Sequence, residues 1–198
     1  MRTGRRQSPS GSVNGVGGTT GEAEALPAAP ILLLGLGNLL LSDEGTGVHA
    51  VEAFRRRYGT PAGLDVLDGG TAGMDLLDII AGREAVIVVD AVRRAGAPPG
   101  TLLAFHGDEV RAAFGARLSP HQLGLLDVLA AAALLGEAPA SVTVLGVVPA
   151  DLDLGLKLSD AVAASLEGLL AMIADELARR GVNLAPVNPK PPRSDGAA

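Results

Sequence analysis

Ile31-Leu32-Leu33-Leu34-Gly35-Leu36-Gly37-Asn38-Leu39-Leu40-Leu41-Ser42-Asp43-Glu44-Gly45-Thr46-Gly47 reads as a strand, a glycine turn and the start of a helix in one run. Ile31 to Leu34 are apolar without alternation, the pattern of a short, fully buried strand. Gly35 and Gly37 permit a tight turn and close backbone approach. Asn38 can bond its own backbone and hold that turn. Asp43 and Glu44 then stand as paired carboxylates just ahead of Gly45-Thr46-Gly47, where a helix begins. In open α/β sheets, ligands bind here, beyond the carboxyl ends of the strands. A dinucleotide fingerprint fits poorly, because its sixth position is Leu40 rather than glycine and two carboxylates repel a phosphate. A cation or a positively charged peptide suits them better.

The 198 residues are enough for one domain with tails, and the 47% hydrophobic content is ample for a core. Aromatic residues make up only 2%, so that core must be Leu, Val, Ile and Ala. A net charge of −6 argues against nucleic acid and anionic membrane surfaces. The absence of cysteine excludes disulfides, thiolate metal sites and a cysteine nucleophile, and fits a reducing compartment. No apolar run reaches the length of a membrane span. Residues 1–29 are rich in Gly, Ser, Thr, Ala and Pro; nothing hydrophobic follows Arg5-Arg6, so they read as a disordered tail rather than an export signal. Residues 30–182 read as a single α/β domain and 183–198 as a flexible, proline-rich tail.

Downstream of the glycine turn, Val48, Val51 and Phe54 recur at helical spacing over Thr46 to Tyr58, with Arg55, Arg56 and Arg57 in the last turn, where they suit the helix dipole. Strands are expected at Leu64 to Leu67, Ala85 to Val89, Thr101 to Phe105 and Val142 to Val147. Short helices are expected at Met74 to Ile80 and Asp108 to Phe114. A loop from Leu118 to Gln122 should lead into a helix, Gly124 to Leu135, that is apolar nearly all round and hence buried. Ser159 caps a long helix to about Arg180, with Val162, Leu166, Leu169, Leu170, Ile173 and Leu177 as its buried stripe. Ala91 to Gly100 is too short for a parallel crossover, so the fourth strand should be antiparallel and at an edge. The expected fold is a three-layer α/β/α sandwich on a five-stranded, mostly parallel sheet.

Asp68 and Asp90 fall at or just beyond strand ends, and Glu44 lies a short loop beyond a third. If the strands are parallel neighbours, all three meet on one rim. His121, after Pro120 in a loop, can present its imidazole there too. His49 and His106 read as satisfied or solvated. Glu44, Asp90 and His121 would make an oxygen, oxygen, nitrogen set suited to Zn, Ni, Mn or Fe with open positions. The bland alternative is that Glu44 caps a helix, Asp90 caps a turn and His121 packs. Asp68-Gly69-Gly70-Thr71 is a single aspartic-protease-like turn where two are needed to share a proton, and no Gly-x-Ser-x-Gly elbow occurs. Asp127, in the apolar helix, reads as structural and needs a partner if buried.

Gly35 to Gly47 resembles the N-terminal signature of the hydrogenase maturation endopeptidases, which process the large subunit of nickel–iron hydrogenases. Asp68 to Met74 resembles their second signature, Val88-Val89-Asp90-Ala91 the third, and Ser119-Pro120-His121-Gln122-Leu123-Gly124 the fourth. Val144 to Pro149 also matches. The resemblance runs in order from about Ile31 to Gly181, and its second and fourth signatures look most like the branch serving uptake hydrogenases.

Carried over residue by residue, the resemblance implies that Glu44, Asp90 and His121 contact metal and that Asp68 is a further acidic residue needed for processing. It implies one peptide-bond cleavage that removes a short C-terminal extension from the large-subunit precursor after nickel insertion. The nickel would arrive with the substrate and serve as the recognition element. Either the metal polarises the scissile carbonyl, or Asp68 or Glu44 acts as general base. Two other readings keep the metal contacts: a nickel-sensing chaperone that does not cut, which could dispense with Asp68, and a metallopeptidase with its own zinc or two-metal centre, for which three ligands are few. A cytoplasmic monomer without nucleic-acid or membrane partners is expected.

Overall fold

The computed structural model describes residues 29–113 and 120–187, the side chains of 111–123 excepted. Among these residues, five strands form one sheet: β1 (Ile31–Leu36), β2 (Leu64–Gly70), β3 (Ala85–Ala91), β4 (Leu102–His106) and β5 (Val142–Val147). Their spatial order is β2-β1-β3-β5-β4. β1 pairs in parallel with β2 and β3, β3 pairs in parallel with β5, and β4 runs antiparallel to β5 at the edge, as the short connection ahead of it requires.

Five helices flank the sheet: α1 (Thr46–Tyr58), α2 (Leu77–Ile80), α3 (Asp108–Ala113), α4 (Pro120–Leu135) and α5 (Asp160–Arg179). The two faces of the sheet carry separate cores. Leu33, Ile87 and Val89 point to the side of Phe54 of α1 and Leu169 and Ile173 of α5. Leu32, Leu34, Val86 and Val88 point to the side of Ile80 of α2, Val110 of α3, and Leu125 and Val128 of α4. Burial on both faces is why β1 and β3 read as unbroken apolar runs.

Several expectations change in detail. β2 and β3 continue through Asp68 and Asp90, so these carboxylates lie within strands rather than after them. The expected helix from Met74 is a 3-10 turn, Met74–Leu76, followed by α2. α3 ends at Ala113, and Phe114 lies outside the described residues. α4 starts at Pro120 rather than Gly124: proline is pre-organised for the first helical position, where its missing N–H costs nothing. Of the loop expected there, Leu118 and Ser119 lie outside the described residues. α4 is also not buried all round, since Leu134 is 90% exposed. The sheet covers one side of the helix, and its many alanines make the outer side read as apolar without needing cover.

Candidate active site

The connections after β1 and β3 leave in opposite directions, one toward β2 and the other toward β5 and β4. Such a switch point opens a crevice at the carboxyl ends of the two strands. Glu44 follows β1 and Asp90 lies in the last turn of chain of β3, so the topology sets both beside that crevice.

The glycines of the first motif serve packing. Gly37 has φ 131°, and a Cβ there would lie 1.7 Å from the carbonyl oxygen of Glu44. A Cβ on Gly47 would lie 2.1 Å from the Val89 oxygen and 2.3 Å from the Leu36 oxygen. Glycine at these positions lets the 3-10 turn Ser42–Gly45 fold back on β1 and lets α1 start against β1 and β3.

Asp43 and Glu44 do not act as a pair. Asp43 is fully buried and accepts four hydrogen bonds: from the amides of Ala150 (2.8 Å), Asp151 (2.9 Å) and Ser159 (2.7 Å), and from the Ser159 hydroxyl (2.8 Å). Burial alone pushes its carboxyl up, but these donors together outweigh that and hold it below its ordinary value. Ser42 adds two bonds to the same loop, from its amide to the Gly155 oxygen (2.9 Å) and from its hydroxyl to the Asp153 oxygen (3.1 Å). Asp43 thus fixes the turn that carries Glu44 to the segment between β5 and α5. Glu44, the next residue, is only half-buried.

Asp90 is fully buried in β3, and one carboxylate oxygen accepts from the Ala91 amide at 2.7 Å. Its register partner on β5 is Gly146, where a Cβ would lie 2.8 Å from the Val92 side chain. Asp68 is exposed, pairs in register with Gly35, and accepts from the Gly70 amide at 2.8 Å. The three carboxylates therefore share the rim, as expected, but not one face. Strand alternation sets Asp68 with Leu64 and Val66 on the α1 side and Asp90 with Val86 and Val88 on the α4 side.

His121 sits in the first turn of α4, not in a loop. That helix is about 24 Å long at its 16 residues. Near its start, a Cβ on Gly124 would meet Gly73, just past the end of β2, at 3.5 Å. Just past its end, Glu137 and Ala140 bond to Gly82 and Arg83, ahead of β3. The helix thus runs the height of the sheet, with its N-terminus at the rim of Asp90. The His121 side chain lies outside the described residues. Among the described residues, which do not include the His121 side chain, no three His, Asp or Glu side chains cluster closely enough to hold a metal ion.

The remaining candidates take structural places. His106 Nδ1 lies 3.3 Å from the Thr143 hydroxyl, in keeping with its satisfied reading, whereas His49 Nε2 is buried without a partner. Asp127 is exposed and needs no partner. The sequence reading missed two anchors. One is Asp43, whose partners lie more than a hundred residues away. The other is Glu176, 3% exposed on α5, which accepts from Arg179, Arg180 and the Thr143 hydroxyl. Burial pushes its carboxyl up, and the three donors overcome that and lower it to about 2. The arginines four and three residues on were a visible signal for Glu176; nothing local marked Asp43.

The sequence model of the hydrogenase maturation protease family matches residues 48–176. The chain is 44% identical over 156 residues to the hydrogenase 2 maturation protease of Escherichia coli, covering 79% of this chain and 95% of that one. It is 46% identical over 158 residues to the hydrogenase expression/formation protein HupM of Azotobacter chroococcum, covering 79% and 75%. Among solved structures, the hydrogenase maturating endopeptidase HybD of E. coli superposes with a TM-score of 0.76 at 44% identity, covering 79% of this chain and 96% of that one. The NiFe hydrogenase maturation protease HybD of Thermococcus kodakarensis superposes with a TM-score of 0.63 at 31% identity, covering 75% and 98%.

Proposed function

Because the chain belongs to the hydrogenase maturation protease family, we propose that it is the endopeptidase that removes a short C-terminal extension from the nickel-loaded precursor of a nickel–iron hydrogenase large subunit. The observation that carries this reading is the 44% identity across nearly the whole length of a named maturation protease. The rim supports a protein substrate. Leu40, Met74, Leu154 and Leu156, each more than half exposed, give its loops an apolar surface around the carboxylates.

In this reading nickel belongs to the substrate. Glu44, Asp90 and His121 meet it, two oxygen donors and one nitrogen donor, leaving positions for the precursor's own ligands. A carboxylate-rich rim binds a precursor that brings a cation and disfavours an empty one. The scissile C–N bond breaks as water adds to the acyl carbon; the new carboxyl stays with the large subunit and the proton goes to the departing amine. Two carboxylates can take the proton from water, Glu44 on the nickel side and Asp68, exposed on the α1 side of the rim. Among the described residues no helix is long and apolar enough to cross a membrane.

The test uses matched nickel-loaded and nickel-free precursor and reads the C-terminal mass. Mass loss confined to the loaded sample is expected. Binding without mass loss, or equal cutting of both samples, contradicts the proposal.

A further inference from the structure

An open cleft of about 810 Å³ lies at the same rim, between the loop after β3 and the loop after β5. Arg93, Arg94 and Pro99 line one side; Pro149, Asp151 and Asp153 line the other. Arg93 follows Asp90 by three residues, so their Cα atoms lie within about 10 Å, the reach of three extended residues. A peptide whose scissile bond sits at Asp90 enters this cleft within a few residues.

Both walls are held. On the first, the Val92 and Gly100 amides bond the Val147 and Val148 oxygens, at 2.9 and 2.8 Å, and the Ala97 amide closes a turn on the Arg94 oxygen. On the second, Asp43 holds the Ala150 and Asp151 amides, and the Asp151 carboxylate accepts from the Asp153 amide at 2.9 Å. Arg93 and Arg94 are exposed, and neither guanidinium makes a hydrogen bond or ion pair with a described residue. Both guanidinium groups are therefore open to a ligand, on a chain whose net charge is −6. Charges beyond about 8 Å are screened at physiological salt, so the local pair rather than the net charge decides what this wall attracts. The planar guanidinium fork matches a carboxylate.

We propose that this cleft receives the precursor's C-terminal extension, with Arg93 and Arg94 holding its carboxylates. The inference rests on the processing reading above and adds to it the side of the site on which the departing segment lies. The aspartates across the cleft favour one direction for that segment, with its negative groups toward the arginines.

The experiment measures processing of nickel-loaded precursor by the full chain, its R93E/R94E and R93Q/R94Q variants, and an Arg56→Glu control in the last turn of α1, at the other end of the sheet. Charge reversal should raise KM by about tenfold or more, with the neutral variant between, and added salt should narrow the gap. Arg56→Glu should leave KM where it is. Two altered precursors identify the carboxylate. Weaker binding after amidation of the C-terminus assigns the terminal group, and weaker binding after Asp and Glu of the extension become Asn and Gln assigns side chains; either result supports the proposal. A wild-type chain that cuts, with KM unmoved in both double variants, overturns the cleft alone. A wild-type chain that leaves loaded precursor intact overturns the processing reading, and this one with it.

Discussion

Asp43 and Ser159 hold each other across 116 residues of chain: the two carboxylate oxygens accept the Ser159 amide at 2.7 Å and its hydroxyl at 2.8 Å. Ser159 is also the N-cap of α5, where its side chain accepts from the Val162 amide. One contact thus ties the start of the longest helix to the turn that carries Glu44. Of the two residues joined by a single peptide bond in that turn, Asp43 is the buried anchor and Glu44 its half-buried neighbour.

Asp43→Ala leaves three backbone amides and a hydroxyl without their acceptor. A loss of about 3 kcal/mol is expected. Urea denaturation followed by circular dichroism measures it. Processing should fall further than stability, because Glu44 loses its fixed backbone; a variant that keeps both within error would show that the turn holds without this carboxylate.

Acid should destabilise the fold through Glu176. Its folded value of about 2 lies below its ordinary 4.5, so the folded state binds the proton less readily than the unfolded chain. The stabilisation is fully present above about pH 4.5 and is lost as pH falls toward 2, on the order of 3 kcal/mol in all. Asp43 is lowered too and acts in the same direction. Glu176→Gln should be less stable at pH 7 and should flatten this part of the stability–pH curve. An unchanged curve would remove Glu176 as its source.

Gly47→Ala and Gly124→Ala should differ in sign. A methyl on Gly47 meets the backbone oxygens of Val89 and Leu36, neither of which can retreat without moving a central strand. A cost of about 3 kcal/mol or more is expected. A methyl on Gly124 makes ordinary contact with Gly73 and replaces a glycine within α4, for a gain of up to about 1 kcal/mol. Thermal melts of the two variants side by side decide the matter.

His121→Ala should abolish processing of nickel-loaded precursor, by roughly a hundredfold or more, while the melting temperature moves little. Its place in the first turn of α4 makes few demands on that helix, since alanine is a good helix former. Near-normal cleavage would take His121 out of the site. Asp68→Asn and Glu44→Gln, compared at saturating precursor, separate the two candidate bases: the true one loses kcat, and the other shifts KM.

Much of the fold was written in local pattern. Unbroken apolar runs gave β1 and β3, the 3.6-residue stripe gave α1 and α5 nearly to the residue, and the short link after β3 required the antiparallel edge strand. These are nearest-neighbour properties, and a linear reading captures them. The rim position of Asp68, Asp90 and Glu44 also followed from sequence, because parallel strands joined by crossovers bring their carboxyl ends to one side. Three things needed the tertiary structure. The opposite faces of Asp68 and Asp90 depend on strand register. The starting point and one-sided burial of α4 depend on what the sheet can cover. The division between Asp43 and Glu44 depends on donors contributed by Ala150, Asp151 and Ser159. A carboxylate becomes an anchor or a reactive group according to the groups that surround it, and those groups arrive from distant parts of the chain only when it folds.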